Sequence, residues 1–159
     1  MSTLFVDTIN EKTTNNGVYI PGHVLQVVSA STGNNVSTTS TSFVTANLTA
    51  TITPSSTSSK ILILLNAAMY NATTGIHSVA TVFRGTVSGT NLGHSSFGFG
   101  SSYASGDLTK NNISANYLDS PSTTSATTYT VGIRSDGSGT TVLSVNGETS
   151  TLTLMEIGA

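Results

Sequence analysis

The sequence predicts an all-β chain, an antiparallel sandwich, and three observations carry that prediction. Threonine and serine fill about a third of the positions while charged residues fill only 8%. Threonine is β-branched and suits a pleated, half-exposed surface, so hydroxyls here take the solvent-facing place of charges. Apolar residues recur with period two over several short segments, and no window carries a period of 3.6.

The bulk numbers set limits. A chain of 159 residues is one domain of ordinary size with room for a short appendage. Its apolar content of 36% is low, and its mean hydropathy is only +0.12. Burying surface between copies would compensate. Net charge is −2. Lys12, Lys60, Arg84, Lys110 and Arg134 are scattered, which argues against a nucleic-acid partner, because counter-ion release needs clustered cations. The segment Met1 to Asp7 has no basic and apolar signal pattern, and the run Ile61 to Leu65 is far too short for a bilayer; no membrane insertion is expected. The absence of cysteine removes disulfides, thiolate metal sites and thiol catalysis together.

Along the chain, residues 4–22 read as two short strands around the polar stretch Asn10 to Gly17, ending at Pro21-Gly22. This piece has too little apolar surface to fold alone and must pack on something. From His23 onward the chain reads as one sandwich domain, 23–159. Val24 to Val28 is a short strand, and 29–42 a polar loop or edge hairpin. Ala46, Leu48, Ala50 and Ile52 alternate with polar residues, the mark of a half-buried strand. Pro54 to Ser59 is a turn. Lys60 to Tyr70 holds the strongest apolar run, without a threonine, and so predicts a strand covered on both faces. One cover is the core. The other is a subunit interface or a long loop, and Ile61, Ile63, Leu65 and Met69 are the interface candidates.

His77 to Arg84 is the next strand. Residues 85–111 read as long Gly- and Ser-rich loop with a short strand near 95–99, and Ser114 to Leu118 as a short strand. Tyr129, Val131 and Ile133 alternate, Asp136-Gly-Ser-Gly139 predicts a hairpin turn to Thr141–Val145, and Ser150 to Ile157 is the last strand. About eight strands at this spacing fit a sandwich.

Little in the sequence carries chemistry. His23, His77 and His94 have no metal-ligand spacing. Asp107, Asp119 and Asp136 sit beside Gly, Ser or Pro, where Asx side chains cap turns. No nucleophile elbow or dinucleotide fingerprint occurs. The expectation is no enzyme and no cofactor. One segment rises above background: His94, Phe97, Phe99 and Tyr103 lie among Gly and Ser, either a contact surface of rings on adaptable loops or a satellite core beneath them.

Several stretches resemble small fibre-like virion surface proteins of marine bacteriophages. They are Thr3-Leu-Phe-Val-Asp-Thr-Ile9, Pro21-Gly-His-Val-Leu-Gln-Val27, the segment Ile52 to Ile61, the segment Tyr117 to Tyr129 and the ending Ser150 to Ile157. The resemblance covers most of the chain apart from 29–42 and 85–112, and its motifs are turn and strand signatures. It implies a jelly-roll-like domain, a homotrimer, and an N-terminal arm at residues 1–22 that attaches to other virion proteins or intertwines the chains. It also implies a place on the virion surface, as fibre, knob or capsid decoration. Beside the resemblance, the expectations are assembly in the host cytoplasm and loops that either contact a host glycan or protein or simply clad the particle, with a polysaccharide depolymerase as the less favoured alternative.

Overall fold

The structure, a computed structural model, describes residues 22–158. The predicted arm therefore lies outside the described residues, apart from Gly22. Eleven strands occur among them: β1 (Val24–Thr32), β2 (Val36–Thr38), β3 (Val44–Ile52), β4 (Lys60–Asn71), β5 (His77–Arg84), β6 (Thr90–Asn91), β7 (Gly100–Tyr103), β8 (Thr109–Asp119), β9 (Thr127–Ser135), β10 (Thr141–Leu143) and β11 (Ser150–Ile157).

The pairing is nested. β1 pairs with β11, β3 with β9, β4 with β8 and β5 with β7, all antiparallel. The chain thus behaves as one long hairpin of four strand pairs, rolled up so that successive pairs fall alternately into two sheets. β4 then joins β11 and β5 joins β9, giving sheets of order β1-β11-β4-β8 and β3-β9-β5-β7. This is the jelly-roll topology. β10 continues the first sheet beyond β11 along β4, and β2 lies against β10.

Period-two alternation places the core. Ala46, Leu48, Ala50 and Ile52 of β3 meet Ile61, Ile63, Leu65, Ala67 and Met69 of β4, with Leu152 and Leu154 of β11 and Tyr129, Val131 and Ile133 of β9. The strand expected at 46–53 is present with the expected faces, interrupted by a bulge at Asn47, whose φ is +55°.

Three expectations need correction. Ile61, Ile63, Leu65 and Met69 are buried inside the chain's own sandwich and are not available to a neighbouring copy. The second face of β4 belongs to the alternate residues, Leu62 and Leu64. The turn at Asp136 to Gly139 does not close a hairpin, because β9 and β10 belong to different sheets and the turn carries the chain across the sandwich. The predicted short strand at 114–118 is the end of the eleven-residue β8, which is mostly exposed along its length.

Candidate functional site

The segment 85–103 is an edge strand with a large excursion. Asn91 faces Phe83, and Gly100 faces Ala80. Nine residue steps on this strand therefore match three on β5, and residues 93–98 are extruded between them. The ladder resumes on each side, with Leu92 N–H donating to Val82 at 3.0 Å and Phe99 N–H to Ala80 at 2.9 Å. An edge interrupted in this way is a poor template for further strands.

Gly98 makes the excursion feasible. It has φ +55°, and a Cβ there would lie 2.3 Å from the carbonyl oxygen of Ala80. Glycine tolerates both conditions. The reversal at this point sends Phe97 outward and Phe99 inward. Gly98→Ala should therefore lower the melting temperature by several degrees, since about 2 kcal/mol of clash and strain must be relieved, and should change the near-ultraviolet signal of the neighbouring rings. An unchanged melt and spectrum would show that the loop accommodates a Cβ.

The rings divide into two groups. Phe99 is half-buried and packs against the core and onto Tyr117 of β8, centroids 5.6 Å apart. This pair closes the open side of the sandwich between edge strands β7 and β8. Phe97, Tyr103 and His94 are exposed instead, and His77 joins them. His77 lies 4.7 Å from the Tyr103 ring and 5.6 Å from Phe97, and His94 stacks on Phe97 at 5.9 Å. The cluster is a continuous run of four rings, His94-Phe97-His77-Tyr103, on the outer face of the second sheet. Phe97 and Tyr103 remain about half exposed even so, at 46% and 51%.

Nothing in the linear sequence points to His77. It is brought to the cluster by its cross-strand pairing with Tyr103. Local hydrogen bonds fix it: its backbone N–H donates to Asp136 Oδ1 at 2.6 Å, and its Nδ1 lies 3.1 Å from Ser101 Oγ. Asp136 Oδ2 stands 3.9 Å from His77 Nε2, an ion-pair distance rather than a hydrogen bond. Serine, histidine and aspartate are thus neighbours here without the hydrogen-bonded relay that activates a serine. Asp136 positions the start of β5.

The other charged groups have structural partners. Asp119, expected as a turn cap, is buried and accepts the Tyr129 phenol at 2.7 Å and Arg84 at 3.2 Å. The Arg134 guanidinium donates to the carbonyls of Ser96 at 2.9 Å and Thr41 at 2.6 Å and lies over the Phe43 ring at 5.6 Å. It thereby ties the extruded loop to the sheet. Lys110 pairs with Glu148 at 3.0 Å. Glu156 is buried at the far end of the sandwich among Gln26 and Ser55. No group of three His, Asp or Glu placed to hold a metal occurs among the described residues.

No protein-family model matches the chain, and no curated protein matches it. Among solved structures it is similar to the 2.6 Å structure of T=1 particles derived from infectious bursal virus, with a TM-score of 0.48 and 14% identity over 96% of this chain. It is similar also to the structure of infectious bursal disease virus Gx strain, with a TM-score of 0.41 and 14% identity over 97% of this chain. The chain spans 41% and 43% of the length of those two chains.

Proposed function

We propose that this protein is a virion surface protein of a bacteriophage, a homotrimer held to the particle through residues 1–22, which contacts the host surface with the ring cluster at Phe97 and Tyr103. The observation that carries the proposal is the display of that cluster. A jelly roll whose open side is sealed by Phe99 and Tyr117 has no need of two further rings held in solvent. Large rings usually bury, and rings on a fixed loop supply contact area at small entropic cost. Support comes also from the resemblance of the turn and strand motifs to phage fibre-like proteins and from the charge-poor, hydroxyl-rich exterior. The partner class is a host glycan or protein offering an apolar face to the rings. The chemistry is adhesion without turnover.

Two experiments test this. Sedimentation velocity of the purified full-length chain at micromolar concentration should give the mass of three 16.2 kDa chains, and a stable monomer would sink the trimer. Phe97→Ala and Tyr103→Ala together should weaken attachment of the protein to host cells by at least about tenfold, the effect of one hot-spot residue, with an unchanged thermal melt. Unchanged attachment would remove the receptor role and leave a decoration protein.

A further inference from the structure

The outer face of the first sheet carries an apolar row that no other described strand covers. The registers of the first sheet align Val27 with Met155, Met155 with Leu62, and Leu62 with Leu118, so one row of four apolar side chains crosses all four strands. Their sequence neighbours Val28, Ile61, Ile63 and Leu154 point into the core, so period two turns the row outward. Leu64, next along β4, extends it. Val27 is 55% exposed and Leu118 48%. Scattered apolar residues on a surface are ordinary, whereas a contiguous row marks a contact. Beyond it the face is mixed: the neighbouring row sets Ser29, Thr153 and Asn116 around Leu64, and on the other side Lys60 stands opposite Ile157.

We infer that this row is the docking site of residues 1–21 of the same chain. Those residues join the domain at its margin: Gly22 N–H donates to Gly158 O at 2.7 Å, next to the pair Val24–Ile157, and the Val27–Met155 pair follows a few residues on. Length is ample. Four strands span about 14 Å, and an extended chain covers that in roughly five residues. The segment holds two apolar triplets, Leu4-Phe5-Val6 and Val18-Tyr19-Ile20, in otherwise polar sequence, and a stretch so short does not bury them by itself. Tethering gives it a local concentration on the order of millimolar at the row, well above that of a second copy at micromolar concentration. The inference deepens the arm reading given above and rests on it: the face that holds the segment leaves its alternate side chains turned away, toward the particle.

The chain has no cysteine, so Leu118→Cys places a unique thiol in the row, and Leu108→Cys places one at a separate exposed position. In the otherwise unchanged full chain, Leu118→Cys should react with a maleimide about tenfold more slowly than Leu108→Cys, as expected of a site that must open first, at every protein concentration. Adding Leu4→Ser, Phe5→Ser and Val6→Ser, or starting the chain at Gly22, should bring the two rates together. Equal rates in the unchanged chain overturn the inference. Protection that grows with protein concentration overturns it also, because a second copy then covers the row. A chain that is protected yet sediments as a monomer breaks the trimer reading and leaves the docking intact. A chain that trimerises and enters particles with a reactive thiol breaks the docking alone.

Discussion

Replacing Glu156 with alanine should destabilise the domain by about 4 kcal/mol at neutral pH, because it strips a buried carboxylate from several donors at once. Glu156 lies on the inward face of β11, fully buried, at the end of the sandwich where hydrophobic packing stops. Its Oε2 accepts Gln26 Nε2 at 2.6 Å, and its Oε1 accepts both the backbone N–H and the hydroxyl of Ser55 at 2.7 Å. Gln26 also donates to the Thr53 carbonyl. One carboxylate thus ties β1, β11 and the β3–β4 turn together, and alanine removes all three of its bonds at once, leaving Gln26 only the Thr53 carbonyl and Ser55 only water. Burial alone would push the acid up, but the bonds from Gln26, Ser55 and Ser59 outweigh it and hold the group below its ordinary 4.5. A group with a depressed folded value contributes stability that is present above the unfolded value and is lost as pH falls through the folded one. The wild-type advantage should therefore be full at neutral pH and shrink below about pH 4.5. Urea melts of the two proteins between pH 7 and pH 3 measure this, and a gap that stays constant would place the acid sensitivity elsewhere.

Asp119→Ala should cost about 3 kcal/mol. The carboxylate ends β8 and is 7% exposed, with the Tyr129 phenol on one side and Arg84 on the other. Burial first, and then the bond to Asp119, push the phenol far above its ordinary range, so it stays protonated and donates. Removing the carboxylate leaves a fully buried hydroxyl without its acceptor. Arg84 keeps partial access to water and a bond to the Ser120 carbonyl at 3.2 Å, which sets the cost at the lower end for a broken buried pair. A double-mutant cycle with Tyr129→Phe should return a coupling of about 1–2 kcal/mol. A coupling near zero would mean that the two groups do not depend on each other.

The sequence made the sheet architecture legible wherever one strand face meets water. Ala46 to Ile52 alternates because its other face is solvated, and a local rule then suffices. β4 is apolar on both faces, so the run announced double cover but not which parity lies inward. The paired strands decide that: Leu152 and Leu154 fix Ile61, Ile63 and Leu65 as core, and Leu62 as outer face. Turn chemistry at Asp136 to Gly139 was legible as a reversal, yet local residues do not encode the sheet that the next strand joins. β8 was seen only in part because an edge strand with polar neighbours, Thr109 to Asn112, resembles a loop in composition. Of the candidate rings, Phe97, Tyr103 and His94 share one exposed cluster, while Phe99 seals the sandwich. His77 was illegible as a member, since only the antiparallel register of β5 and β7 brings it beside Tyr103. Asp119 illustrates the same limit, for its neighbours Ser120 and Pro121 suggest a turn whereas its partners lie 10 and 35 residues away.

The central claim is that this jelly roll stands on the outside of a phage particle and meets the host with its ring cluster. Electron microscopy of intact particles labelled with an antibody against the domain tests it most directly. The account predicts label at regularly placed three-fold knobs on the particle surface, with antibody bound at the Phe97–Tyr103 face blocking attachment to cells. Particles that form and infect with no label on them would contradict it.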